Sequence, residues 1–285
     1  QQLAAAIRQG SFRPIPQPQA EPVAAARAAV PLEVSVRRHN LPSQTTPFIG
    51  RQGEVADLTR LLAEPEVKLV TILAPGGMGK TRLGLAVAER QLNRFADGVF
   101  FVPLAPLSSP DDIVTTIAEQ VGFSFGGSIS PKQQLLDYFR ERQTLLVLDN
   151  FEHLLDGASL GTDLLRAAPG VKVLTTSREK LNLSGETAYL LAGLHFPTWQ
   201  SLEDVQEYDA ARLFMQSARR VRPDFALQPQ DLDDLVRICR LTAGMPLAIV
   251  LAAGWLDVLS LARVAAEIQR GLDILETEQR DVPER

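Results

Sequence analysis

From Phe48 onward the apolar positions fall into short blocks that alternate between two spacings. "EVKLVTILA" (66–74) is a β-branched run, and after a glycine-rich loop "TRLGLAVAERQLNRF" (81–95) carries apolar residues at helical spacing. "DGVFFVPLA" (97–105) reads as a second strand, and "PDDIVTTIAEQVGF" (110–123) as a helix opening on aspartates. "PKQQLLDYFRER" (131–142) starts a helix at proline and leads into "TLLVLD" (144–149), which is apolar on both faces. "GVKVLTTS" (170–177) and "AYLLAGL" (188–194) supply two more strands. Five nearly all-apolar strands, mostly separated by helices, predict an α/β fold: a parallel sheet with helices on both faces. After about residue 199 the strand spacing stops. "YDAARLFMQSARRV", "DLDDLVRICRLT", "PLAIVLAAGWLDVL" and "LARVAAEIQRGLDIL" predict four helices, a small all-helical domain over 199–285. There is no internal repeat.

The first 47 residues differ in kind. They hold seven of the 19 prolines, interleaved with alanine and glutamine, and five arginines against two glutamates. Such sequence cannot bury enough apolar surface to fold alone, so residues 14–43 are expected to be a linker. Before it, "QQLAAAIRQGSF" within 1–13 reads as one short helix, the remnant of an upstream domain. A linker this long suggests a piece of a larger protein. The sheet domain is then expected over 44–198.

Composition excludes some classes. With 285 residues, 45% of them hydrophobic, the chain can bury one large core or two modest ones. A formal net charge of -5 gives no reason to expect nucleic-acid or membrane binding. The single cysteine, Cys239, cannot form an internal disulfide and is expected to be a buried core residue. No leader segment and no apolar run of membrane-spanning length is present, so a soluble, cytoplasmic protein is expected.

Three strand ends carry chemistry. "LAPGGMGKT" (73–81) nearly satisfies G-x-x-x-x-G-K-[ST], with Ala74 in place of the first glycine. Glycines let successive N–H groups face inward, the helix N-terminus adds positive potential, and Lys80 can reach terminal phosphates. Thr81 offers its hydroxyl to magnesium. Ala74 is acceptable if its φ is negative. The second motif is "TLLVLDN": Asp149 ends a buried strand where a carboxylate can hold the magnesium through water. Vigorous ATPases of this general fold place glutamate next; Asn150 can orient water but cannot take its proton. Glu152 could substitute as base, although a solvated helix-start carboxylate is the plainer reading, and His153 is read the same way. The third is "VLTTSREKL": Arg178 alone would read as a surface salt bridge, but beside the other two motifs it reads as pointing to a terminal phosphate.

"LPSQTTPFIGRQGEVADL", "LAPGGMGKTRL", "LLVLDNFEHLL", "VLTTSREKL", "YDAARLF", "VRPDFAL" and "GMPLAIVLAAGWL" occur in the order and spacing that resembles the signal-transduction ATPases with numerous domains, the STAND class. Within it the chain is similar to bacterial transcriptional regulators with an NB-ARC-like nucleotide-binding module. The resemblance covers about residues 40–275. It implies a switch in which ADP holds a closed monomer and ATP opens it to homo-oligomerise. It places the phosphate-loop lysine on Lys80, the magnesium aspartate on Asp149 and the sensor arginine on Arg178. The adenine-side "hhGR" motif falls on Phe48, Ile49, Gly50 and Arg51, and the "GxP" motif on Gly244, Met245 and Pro246. The candidate nucleotide contacts are thus Phe48, Ile49, Gly50, Arg51, Pro75, Gly76, Gly77, Met78, Gly79, Lys80, Thr81, Arg82 and Pro246. Lys80, Asp149 and Arg178 act at the phosphates, and Thr81 and Asp149 on Mg²⁺. Relatives continue into a winged helix, which supplies a histidine to the ADP β-phosphate, and then a repeat sensor; neither follows Arg285 here.

Gly-x-Pro before an apolar helix is also an ordinary helix start. An ATPase motor, a small-molecule kinase and a non-binding scaffold are the rival readings. Asn150 argues against the first, the want of an arginine-rich lid against the second, and only Ala74 supports the third. At most a weak ATPase, binding ADP or ATP with Mg²⁺, is expected.

Overall fold

The computed structural model describes residues 38–197, 202–205 and 207–271. The expected helix at 1–13, most of the expected linker and the end of the last expected helix lie outside them. Helix α1 (Gln52–Ala63) leads to β1 (Leu69–Leu73), α2 (Lys80–Gln91) and β2 (Gly98–Pro103). Then come α3 (Asp112–Val121), α4 (Pro131–Phe139), β3 (Thr144–Asp149), α5 (Ser159–Ala167), β4 (Lys172–Ser177) and β5 (Glu186–Leu190). The helical part comprises α6 (Leu202–Val205), α7 (Asp209–Val221), α8 (Leu232–Leu241), α9 (Pro246–Gly254) and α10 (Leu261–Arg270).

All strand pairings are parallel, in the order β2-β3-β4-β1-β5. The expected five-stranded sheet with helices on both faces is therefore the fold. Its strands read as continuous apolar runs because alternate side chains enter different cores. Leu146 and Leu148 of β3 pack with Ile113, Ile117, Leu135, Phe139 and Leu164 of α3, α4 and α5. Leu145 and Val147 pack instead with Val55, Leu58, Leu62, Leu83 and Val87 of α1 and α2. A third core, holding Phe214, Leu235, Ile238, Cys239, Ile249 and Val264, joins α7 to α10.

Two expectations shift. The fifth strand occupies 186–190, not 188–194, and it is a half-exposed edge. Leu191 and Leu194 are buried, but beyond the strand, where the chain turns toward the helices. Residues 38–41, counted as linker, pack on the sheet. His39 bridges Val99 in parallel, and the Asn40 amide donates to the Phe101 carbonyl at 2.8 Å while accepting from its N–H at 2.6 Å. A side-chain amide thus reproduces the bonding of a neighbouring strand, which proline-rich composition does not disclose. Among the described residues no helix is long and apolar enough to cross a membrane.

Cys239 has no exposed surface, and burial pushes its thiol up to about 12. The thiolate is the reactive form. The native protein is therefore expected to resist maleimide or disulfide-exchange reagents at pH 8 and to react stoichiometrically once unfolded in denaturant. Rapid labelling of native protein would contradict the packing of α8 into its core.

Candidate nucleotide site

Residues 74–79 carry the chain from the C-terminal end of β1 to the first residue of α2. Gly77 and Gly79 adopt φ of 77° and 81°, the left-handed region that favours glycine. Gly76 lies under Arg178: a β-carbon there would stand 3.3 Å from an Nη, and the exposed guanidinium would have to shift slightly. Ala74 is not among the residues with positive φ, and its N–H donates to the Ser177 carbonyl at 3.3 Å. The position where the motif departs from pattern thus needs no glycine. The helix begins at the loop's end, so its unpaired first N–H groups and positive dipole end face the cradle.

Lys80 Nζ donates to the carbonyls of Ala74 at 2.8 Å and Pro75 at 3.1 Å. Burial holds its ammonium below the usual lysine range; Glu152 and Asp149 oppose that shift, and Arg178 adds to it. Beside it, Thr81 Oγ1 donates to Asp149 at 2.8 Å, and Thr176 Oγ1 donates to the same carboxylate at 2.6 Å. Burial raises the Asp149 carboxyl above the usual range despite these two hydrogen bonds. A hydroxyl and a desolvated carboxylate within hydrogen-bond distance are hard oxygen donors, the kind magnesium takes alongside phosphate oxygens and water. The donor set fits that ion, whose positive charge would stabilise the ionised carboxylate.

The next residue is set by conformation as well as chemistry. Asn150 has φ of 65°, a region that asparagine tolerates better than most residues. Its N–H donates to Thr176 Oγ1 at 2.9 Å. His153 Nε2 lies 3.2 and 3.0 Å from the carbonyls of Leu104 and Leu107, so that nitrogen carries the proton. Its Nδ1 is then an acceptor, 3.4 Å from the Asn150 amide nitrogen. His153 therefore turns the Asn150 side chain so that its oxygen is directed elsewhere.

Arg178 follows β4 and lies against the loop, as its position implied, but its Nε is paired with Glu152 Oε1 at 3.0 Å. Glu152 is not a solvated helix-start carboxylate. Its side chain is only 14% exposed, and the next helical turn begins at Leu155, after it.

The adenine-side motifs converge from the other direction. Leu247, in the first turn of α9, donates its N–H to the Gly77 carbonyl at 3.1 Å. Met245 Sδ and the Leu247 side chain sit over Gly77, and Pro246 over Gly79. Phe48, Ile49, Arg51, Met78, Gly79, Arg82 and Pro246 line one narrow cleft of about 40 Å³. Arg51 is buried; it donates to Glu54 at 2.8 Å and to the Met78 carbonyl at 3.3 Å, bracing the loop from behind. Arg82 donates to the carbonyls of Thr46 at 2.6 Å and Pro47 at 3.0 Å, fixing the segment that carries Phe48. Gly50 has φ of 70°, and a β-carbon there would lie 2.2 Å from the Asp209 carboxylate. Leu194 N–H donates to the Gly244 carbonyl at 2.8 Å. Sequence reasoning placed the motif residues but missed Glu152, Thr176, Asp209 and Leu247 as their partners. All four lie within quoted motifs, but their pairing with distant segments left no local signal.

Residues 66–193 match the AAA domain family. Uncharacterised proteins of Mycobacterium bovis and Mycobacterium tuberculosis are 35% identical over 256 residues, 90% of this chain and 58% of theirs. A Mycobacterium tuberculosis protein provisionally named an HTH-type transcriptional regulator is 36% identical over 207 residues, 72% of this chain and 22% of its own length. The chain thus spans little more than half of these relatives at most. A crystal structure of a STAND protein with a tetratricopeptide repeat sensor, from Pyrococcus horikoshii, superposes with a TM-score of 0.51 at 17% identity, covering 84% of this chain and 34% of that one. The resemblance carried by the motifs agrees with these matches.

Because the folded state favours protonated Asp149, the stability this group contributes is present below its unfolded pKa and is lost as pH rises through the raised folded value. At neutral pH the ionised carboxylate is a net cost. Asp149→Asn is therefore expected to raise Tm at pH 7 by roughly 2 °C without ligand, with the gap closing in acid. Thermal melts across pH 3–8 check this, and a lower Tm for the variant at pH 7 would contradict it.

Proposed function

We propose that the chain, whose residues 66–193 match the AAA domain family, is the nucleotide-dependent switch of a STAND-type regulator. Adenine nucleotide with Mg²⁺ would bind on the loop at 74–81, in a domain spanning about 44–198. The helical domain over 199–285 would report what is bound. The observation that carries this reading is the hydrogen bond from Leu247 in α9 to the Gly77 carbonyl. The helical part rests directly on the phosphate loop, so a change on the loop is felt at the start of α9. The cleft between Phe48 and Pro246 has apolar lining of the kind a purine contacts, but at about 40 Å³ it would have to widen to admit one.

In this reading ADP is the resting ligand and ATP-Mg²⁺ the activating one. Lys80 and Arg178 hold the phosphates, and Thr81 and Asp149 the metal. Magnesium, when bound, would neutralise the charge that builds on the phosphates. Asn150, turned by His153, orients water without removing its proton, which suits a switch that must stay on longer than a motor would. Activation would release the helical part and let the full-length protein oligomerise in the cytoplasm. The likeness of part of the chain to a provisional transcriptional regulator supports an output at the level of transcription.

Lys80→Ala is expected to weaken ADP binding tenfold or more, since a charge-assisted hydrogen bond is worth about 1.5–3 kcal/mol. Calorimetry showing unchanged affinity would remove the nucleotide from the loop.

Turnover is expected well below the roughly 10 per second of dedicated enzymes. Asn150→Glu is expected to raise it, although the left-handed φ makes the variant about 1 kcal/mol less stable. A phosphate-release assay on the wild-type protein giving motor-like turnover would overturn the switch.

A further inference from the structure

Arg178 is the strongest candidate to recognise a terminal phosphate, yet its guanidinium is already engaged. Its Nε meets Glu152 Oε1 at 3.0 Å, while an Nη lies over Gly76 in the phosphate loop. The two ends of this pair are unlike. Arg178 is 59% exposed and can swing without unpacking anything, whereas Glu152 is held in the turn after β3 at 14% exposure. The other Glu152 oxygen, Oε2, is buried and has no hydrogen-bond partner among the described residues. Among them Arg178 is thus the only hydrogen-bonding partner of this carboxylate. A buried charge left without its partner is costly.

We propose that Glu152 is a specificity-determining residue, which sets the preference between ADP and ATP by competing with the γ-phosphate for Arg178. The inference rests on the switch reading above and adds the residue that tunes it. With a diphosphate bound, Arg178 stays on Glu152, and the pair spans the loop and the turn. A third phosphate can recruit the guanidinium only by taking away the hydrogen-bonded partner of the Glu152 carboxylate, leaving it the more distant field of the Lys80 ammonium. That cost falls on the triphosphate alone, and it lowers ATP affinity by the fraction of molecules in which Arg178 is free. The device holds the resting state against a ligand with more charge to offer. It also explains why a carboxylate stands two residues from Asn150 without acting as a base: its near oxygen is occupied by a cation, and its far oxygen faces no solvent.

The test is calorimetry on the whole chain with Mg-ADP and a non-hydrolysable Mg-ATP analogue. Wild type, Glu152→Gln, Arg178→Ala and the double variant are compared. In Glu152→Gln the ratio of analogue to ADP affinity is expected to rise about threefold to tenfold. Arg178→Ala should lower the ratio, and the double variant should match Arg178→Ala, because the carboxylate acts only through the arginine. An unmoved ratio in Glu152→Gln overturns the proposal. So does an equal rise in the Arg178→Ala background, which would mean general electrostatics. Loss of turnover by Glu152→Gln at saturating ATP would make the carboxylate the base and also overturn it. Failure of the wild-type protein to bind either nucleotide would sink the switch reading and this inference together. Sound wild-type binding with a fixed ratio would sink this inference alone.

Discussion

One backbone hydrogen bond, from Leu247 N–H to the Gly77 carbonyl, joins the sheet to the helices at the chemically important loop. Gly77 can present that carbonyl because its φ is left-handed, and its missing side chain leaves room for Met245 and Leu247 above it. Met245 precedes α9 with extended backbone, and Pro246 opens the helix without forfeiting a bond it could have made. The Leu247 N–H, one of the first of α9, is thus spent on the loop backbone, while the first N–H groups of α2 face the cradle. A single substitution at Gly77 would disturb the loop and the helical contact at once.

The remaining contacts make the loop rigid from outside. Arg51 holds the Met78 carbonyl, Thr81 and Thr176 hold Asp149, and Arg82 holds the segment that delivers Phe48. These side chains spend their donors on the protein itself. Arginine suits this work because a planar fork can serve two acceptors from one position. In the Asn150–His153 pair the histidine's proton is fixed by two carbonyls, and the amide orientation follows from that.

Much of this was legible along the chain. Lys80, Thr81 and Asp149 fall where the glycine spacing and the apolar strand put them, because strand-to-helix loops and strand ends are local features. The edge strand was misjudged because it is half exposed. Glu186, Thr187 and Tyr189 dilute its apolar signal, while Leu191 and Leu194 extend the apolar run into residues buried outside the sheet. Partnerships between distant segments left no periodic trace. The approach of Asp209 to Gly50 and of Glu152 to Arg178 depends on where strand ends and helix starts meet in space. The glycine of "FIGR" is an expected contact for a base. Its left-handed φ and the carboxylate against its α-carbon add a packing role that no local pattern announces.

The two outer edges of the sheet are finished differently. At β2, His39 and the Asn40 amide occupy backbone groups that would otherwise template another strand. Two residues therefore cap that border against edge-to-edge association, and they do it with the segment that connects the sheet to whatever precedes it. At β5 Leu190 is 79% exposed, and among the described residues β5 has only β1 for a neighbour. The two borders therefore differ in what a further strand would meet: a segment already seated at β2, and free backbone groups at β5.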